Sequence, residues 1–167
     1  GGDEVSEPTG GLTHVDEHGA AHMVDVSGKR PSARTAVATG AVRTTAEVIG
    51  LLRANALAKG DALAVARIAG IMGAKRTPDL VPLCHPIAIS RAAVEFSVSD
   101  ESVTITATVS TTDRTGVEME ALTAVTVAGL TLHDMIKAVD PAAVLDAVRV
   151  QRKDGGKTGS WVRPEGR

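Results

Sequence analysis

The stretch that decides the fold is residues 94–109, which read VEFSVSDESVTITATV. Apolar and polar residues alternate over 94–98 and again over 103–109, which is the period of a β-strand with one buried face. The polar segment 99–102 between them is typical of a tight connection, so the two runs predict a β-hairpin. Such a hairpin indicates an antiparallel sheet with one face that needs a covering layer.

The chain before this hairpin predicts one more strand and two helices. Residues 33–44 are rich in Thr, Val and Ala and alternate as a strand. A helical period runs over 45–55, and Asp61 offers the N-cap of a second helix over 61–76. The inward face of that second helix carries small residues, so another element is expected to pack closely against it. Residues 77–86 hold three prolines and predict a rigid extended connector.

The chain after the hairpin predicts a long helix and a last strand. Residues 118–139 place apolar side chains at spacings of three and four, which is the period of an amphipathic helix. Pro141 suits the first turn of a short extra helix, and residues 147–152 alternate as a strand. Residues 154–167 are Gly-rich and basic, and we expect them to be mobile.

The order of these elements is strand, two helices, two strands, helix and strand. This order predicts an α+β, ferredoxin-like split βαβ sandwich with one antiparallel sheet and helices on one face. An N-terminal hairpin around 16–19, entering a strand over 22–26, adds to it. The expected organisation is a disordered leader over 1–11, a single domain over 12–163 and a flexible tail over 164–167.

The amino-acid composition limits which kinds of molecule the protein can bind. The chain of 167 residues has a formal net charge of −2, one Phe, one Trp and no Tyr. Without a basic excess or aromatic side chains for stacking bases, a nucleic-acid-binding sheet is excluded. No apolar run approaches the length of a membrane span, and no signal-peptide pattern opens the chain. The single cysteine, Cys84, fits a reducing compartment, so we expect a cytoplasmic protein.

A second stripe on the long helix indicates contact with another chain. Asp134 and Lys137 are neighbours at a spacing of three, and their face continues toward Glu120 as a half-apolar, half-charged surface. Glu120 and Asp134 stand fourteen residues apart, which is about 21 Å along a helix. If both contact one small substrate, an antiparallel helix of a second subunit must bring them together across a dimer interface.

The charged residues around the second helix and the Gly-rich segment have competing interpretations. Lys59 precedes an N-cap, at the positive end of a helix dipole, and an anionic ligand would explain it. Residues 155–159 (GGKTG) cannot be a P-loop, because position 151 is Gln where that motif needs Gly. They form either a loop that closes over phosphate with Lys157 or a disordered basic tail.

The proline-flanked segment 83–85 also has two interpretations. Cys84 and His85 point to opposite sides of an extended chain, so they cannot serve each other as nucleophile and base. They also lack the paired spacings of a zinc site. The segment is either a turn whose backbone binds a substrate or a purely structural turn.

Longer motifs carry a resemblance to a known family. They are KGDALAVARIAGIMGAKRTPDLVPLCHP at 59–86, TGVEMEALTA at 115–124 and HDMIKAV at 133–139, with shorter matches at 12–14, 22–26 and 155–159. From about residue 12 to 161 the chain resembles the MoaC family. His133 departs from the family pattern, which has Tyr just before its catalytic aspartate.

The resemblance implies an enzyme of molybdenum cofactor biosynthesis that acts after a radical GTP cyclase. It would convert (8S)-3′,8-cyclo-7,8-dihydroguanosine 5′-triphosphate to cyclic pyranopterin monophosphate and release pyrophosphate. A homohexamer is implied, built as a trimer of dimers with the site at the dimer interface. No cofactor is required, although Mg²⁺ can accompany the triphosphate. The alternative is a non-enzymatic nucleotide or pterin sensor, which would bind without releasing pyrophosphate.

The resemblance also implies residue roles. Asp134 is the expected general acid/base, Lys137 its partner and Lys59 a stabiliser of charge near the transferred phosphate. No metal ligand is implied. The implied substrate-binding residues are Leu83, Cys84, His85, Met119, Glu120, Glu118, Lys75 and Lys157.

Overall fold

The computed structural model describes residues 20–157 and 159–167, which form a five-stranded sheet and four helices. No helix in this part of the chain is both long and apolar enough to cross a membrane. In chain order the elements are β1 (Ser32–Arg43), α1 (Ala46–Arg53), α2 (Ala62–Lys75), α3 (Thr77–Leu80), β2 (Ile89–Val98), β3 (Ser102–Asp113), α4 (Glu118–Ile136), β4 (Val144–Gly155) and β5 (Trp161–Val162).

The sheet is antiparallel throughout, with strand order β2-β3-β1-β4-β5. The predicted hairpin is confirmed, because Val98 pairs with Val103 and the Ser99 N–H donates to the Ser102 carbonyl at 2.9 Å. The alternating apolar residues of β3 are buried. Helix α4 packs across β1, β3 and β4, and α2 packs against α4 and β2. The predicted α+β class with an antiparallel sheet is therefore confirmed.

The small face of α2 does receive a closely packed neighbour, as the sequence predicts. That neighbour is α4. A Cβ atom at Gly70 would lie 2.9 Å from the Ala124 carbonyl oxygen, and one at Gly73 would lie 2.8 Å from Cγ2 of Val127. Both distances are shorter than a side chain tolerates, so the two helices approach closely because these positions carry no side chain.

Both predicted helix starts before the hairpin are confirmed by their caps. The Thr45 hydroxyl accepts from the Val48 N–H at 3.2 Å, and the Asp61 carboxylate accepts from the Ala64 N–H at 3.1 Å. Each cap satisfies an N–H group that has no partner within the helix.

Two local predictions between the elements are wrong. Residues 77–86 do not form an extended connector throughout, because Thr77–Leu80 is a short helix with Pro78 in its first turn, where no N–H is needed. Pro141 begins no helix and lies in a turn instead. Asp140 holds that turn, accepting from the Thr44 hydroxyl at 2.7 Å and from the Ala142 N–H at 3.1 Å.

The two ends of the chain also differ from prediction. Residues 22–26 form no strand, so this prediction is wrong. Val24 and Val26 are half-buried, and one covered side of an extended segment gives the same alternation of apolar and polar residues as a strand. The expected mobile segment 154–167 instead contains the end of β4 and all of β5, whose N–H and carbonyl groups extend the sheet. The leader 1–11 and the turn at 16–19 lie outside the described residues. The flexible tail over 164–167 stays a prediction.

The contact between α2 and α4 yields a stability prediction. Gly70→Ala should lower the free energy of unfolding by about 1–3 kcal/mol, because the added methyl group meets a backbone oxygen that cannot move aside. The matched control is Gly50→Ala in α1, where a Cβ meets nothing within 4 Å. That control should raise stability by about 0.5–1 kcal/mol, since Gly is a poor helix former. Urea denaturation measures both, and equal effects of the two substitutions would contradict the packing argument.

Candidate active site

Three charged side chains meet at the C-terminal end of α4 and are called here the aspartate cluster. The Asp134 carboxylate accepts from the ammonium group of Lys59 at 2.7 Å and from that of Lys137 at 2.8 Å. Lys137 is the neighbour predicted from the spacing of three. Lys59 lies 75 residues away in sequence and arrives because α2 runs antiparallel to α4 and begins beside its end.

The aspartate cluster keeps Asp134 ionised. Hydrogen bonds from Lys137 and then Lys59, together with their charges, lower the pKa of Asp134 to about 2. All three side chains are about half exposed, so a ligand can reach the ammonium groups. The arrangement presents two cations on a fixed carboxylate, which suits an anionic substrate with groups that must be protonated.

The N-terminal end of α4 carries a second group, the glutamate cluster of Glu118, Glu120 and Cys84. Glu120 is only 3% exposed, and this burial is the main reason why its pKa rises to about 7. The negative charge of Glu118 raises the pKa further, whereas a hydrogen bond from the backbone N–H of Glu120 lowers it. Burial and the charge of Glu120 raise the pKa of the Cys84 thiol. Cys84 therefore lies near the start of α4, as a thiol rather than a thiolate.

A cleft beside the glutamate cluster contains two cations that the sequence did not single out. Lys153 lies 3.5 Å from the Glu118 carboxylate, and Arg34 lines the same cavity of about 60 Å³. The prediction missed Lys153 because the last strand was expected to end at 152. The sequence could have indicated Arg34, because an arginine within the otherwise mostly apolar or small residues of β1 is unusual.

The other predicted site residues lie around these two clusters. His85 lines a second cleft with Asp25 and Asp113, and Met119 is exposed beside Glu120. Leu83 is half-buried in the turn before Cys84, and Lys157 follows β4. Among the described residues, no group of three or more His, Cys, Asp or Glu side chains is placed to hold a metal ion.

One subunit does not bring all of the predicted residues together. Helix α2 has 14 residues, so Lys59 before its start and Lys75 at its end are separated by about 21 Å. Glu120 and Asp134 occupy opposite ends of α4 in the same way. The structure therefore joins Lys59 to Asp134 and places Cys84 near Glu120, and it leaves the aspartate and glutamate clusters apart.

The raised pKa of Glu120 yields a prediction for Glu120→Gln. The unfolded carboxyl titrates near 4.5 and the folded one near 7, so wild-type stability falls as pH rises through this window. Gln removes the buried charge and should stabilise the protein by about 3 kcal/mol at pH 8 and by almost nothing at pH 4. Thermal unfolding of both proteins at the two pH values measures this. A loss of stability at pH 8 would instead show that a cation neutralises Glu120.

Comparison with known proteins places the chain in a family. The chain is 64% identical to the cyclic pyranopterin monophosphate synthase of Streptomyces coelicolor over 157 residues, covering 94% of this chain and 92% of the relative. It is 64% identical to the Nocardioides protein of that name over 156 residues, covering 92% and 96%. It is 60% identical to cyclic pyranopterin monophosphate synthase 2 of Mycobacterium bovis over 155 residues, covering 93% of each. The MoaC family model matches residues 23–156, and the chain therefore belongs to the MoaC family.

Proposed function

We propose that this chain is a lyase of molybdenum cofactor biosynthesis that produces cyclic pyranopterin monophosphate. The substrate is (8S)-3′,8-cyclo-7,8-dihydroguanosine 5′-triphosphate, and pyrophosphate is released. The aspartate cluster carries the proposal, because it holds two cations on an ionised carboxylate in a chain about 60% identical to enzymes named for this product. A radical GTP cyclase supplies the substrate in this proposal.

The residues of the aspartate cluster divide the chemistry between them. Opening and closing rings needs proton transfers, and a leaving pyrophosphate needs compensation of its negative charge. With a pKa of about 2, Asp134 stays ionised at neutral pH, so it acts as the hydrogen-bond acceptor that orients both ammonium groups. Lys137 serves as the proton donor at its side, and Lys59 compensates charge near the transferred phosphate.

A complete site in this proposal requires a second subunit. Glu120 and Asp134 cannot meet one small molecule within a single chain, because they lie at opposite ends of α4. The outer side of α2 and α4 supports an interface, since Ile68 is 61% exposed and Leu130 is 63% exposed. An antiparallel partner would place the aspartate cluster of one subunit beside the glutamate cluster of the other. Three such dimers make the proposed hexamer.

The finer description of the fold is also a proposal. A ferredoxin-like split βαβ sandwich is supported by the order β2-β3-β1-β4 within the sheet and by antiparallel pairing between all neighbours. In the proposed reaction the chain needs no cofactor, and any Mg²⁺ arrives with the triphosphate. We place the protein in the cytoplasm on the basis of its GTP-derived substrate.

The role of Asp134 can be tested by Asp134→Asn. We expect turnover to fall at least about 100-fold, because the amide accepts no proton and does not hold two ammonium groups, while substrate binding is retained. The assay follows pyrophosphate release and pterin fluorescence with enzymatically prepared substrate. Asp146→Asn is the matched control, since Asp146 pairs with Arg43, which belongs to neither cluster, and this variant should keep full activity. Near-normal turnover of Asp134→Asn would contradict the assignment.

The shared site can be tested by mixing two inactive variants. Glu120→Gln and Asp134→Asn subunits that exchange freely should recover about a quarter of wild-type activity, because half of the dimers are mixed and each mixed dimer holds one intact site. Each variant incubated alone, through the same unfolding and refolding cycle, is the control. An active monomer, or mixtures no more active than either variant alone, would contradict the interface site.

A further inference from the structure

The turn that follows α4 carries Lys137 and is exposed along most of its length. The helix ends at Ile136, which is buried, and residues 137–139 are exposed before the chain is buried again at Asp140. The N–H groups of Val139 and Asp140 both donate to the Ile136 carbonyl oxygen, at 3.0 and 2.9 Å. Asp140 is therefore the first buried residue that the chain reaches beyond Lys137.

The Asp140 carboxylate joins this turn to the junction between β1 and α1. Its two oxygens have separate partners, because one accepts from the Thr44 hydroxyl at 2.7 Å and the other from the Ala142 N–H at 3.1 Å. Thr44 is itself fixed, since its N–H donates to the Glu101 carbonyl oxygen at 2.9 Å and the N-cap of α1 follows directly. A buried carboxylate with both oxygens engaged, one of them by a residue 96 positions away in sequence, holds its turn in one position.

The position of this turn matters to the aspartate cluster, because Lys137 lies just beyond the end of the helix. Its N–H donates to the His133 carbonyl oxygen at 2.9 Å, and its ammonium group donates to Asp134 at 2.8 Å. Both partners lie before Lys137 in sequence, within the last turn of α4. Helix ends fray, because their last carbonyl groups lack partners within the helix. The bond between Thr44 and Asp140 supplies support from the other side of Lys137.

We infer that Thr44 and Asp140 are positioning residues, whose hydrogen bond holds the turn of residues 137–140 so that the ammonium group of Lys137 stays on the Asp134 carboxylate. Both act through Lys137 rather than on the substrate. The inference rests on the proposed function and deepens it, because it names the contact that keeps the proton donor in place. It also gives a role to a buried carboxylate that belongs to neither cluster.

Trace labelling of the lysines with acetic anhydride tests this position in the native protein without any turnover. A hydrogen bond to a carboxylate keeps an ammonium group protonated and therefore unreactive. Thr44→Val removes the hydroxyl at nearly constant size. It should raise the labelling of Lys137 relative to Lys59 at least about twofold, because only Lys137 is carried by this turn. Thr44→Ser keeps the donor and should give the wild-type ratio.

Two further variants complete the labelling test. Asp140→Asn keeps one acceptor oxygen and leaves no buried charge, so it should raise the same ratio, and it carries the test if Thr44→Val does not fold. Asp146→Asn is the matched control, since Asp146 forms an exposed pair with Arg43 at the same end of β1 and should leave the ratio unchanged. Thermal unfolding checks that each variant folds. An unchanged ratio in the variant that carries the test, or an equal rise in Thr44→Ser or Asp146→Asn, would overturn the inference.

Steady-state kinetics separates this inference from the function on which it rests. Thr44→Val should lower kcat at least about tenfold with little change in KM for the cyclised triphosphate, because a small displacement of a catalytic group is costly. Thr44→Ser should keep the wild-type kcat. Wild-type kcat in Thr44→Val would overturn the positioning role and leave the proposed reaction standing. Raised labelling of Lys137 without any turnover by the native protein would support the positioning of Lys137 and overturn the proposed reaction.

Discussion

The close contact between α2 and α4 is the constraint on which the rest of the structure depends. Two glycines on α2 let the backbones approach, and the antiparallel arrangement then places the start of one helix beside the end of the other. Lys59 reaches Asp134 only because of this arrangement, and the turn that follows α2 carries Cys84 to Glu120. A larger side chain in this contact would disturb packing and charge placement together.

The two ends of α4 treat their carboxylates in opposite ways. At one end Asp134 is exposed and held by two ammonium groups, so its pKa is low. At the other end Glu120 is buried and lies near the Glu118 carboxylate, so its pKa is high. One helix therefore presents an acceptor that stays charged and an acid that holds its proton up to neutral pH. A reaction that moves several protons can use both kinds of group.

Periodicity predicted most of the fold because the main elements are long and have one clearly apolar face. The strand before α1, the β2–β3 hairpin and α4 follow directly from alternation or helical spacing. The predictions failed where a few residues determine the local structure. At Pro141 the expected helix is absent because the buried Asp140 holds the chain in a turn. The pair of Asp134 and Lys137 was visible from spacing, whereas the bond to Lys59 depends on how two helices pack. Lys153 was missed because no local pattern extended its strand far enough.

The short strand β5 limits the pairing of the sheet edge with strands of other molecules. It covers Arg152 and Lys153, at one end of an edge that would otherwise expose unpaired N–H and carbonyl groups. Arg163 fastens it with hydrogen bonds to the carbonyls of Gln151 and Val150. Exposed sheet edges recruit strands from other chains and promote aggregation. The residues of β5 thus shield this part of the β4 edge from pairing with a strand of another molecule.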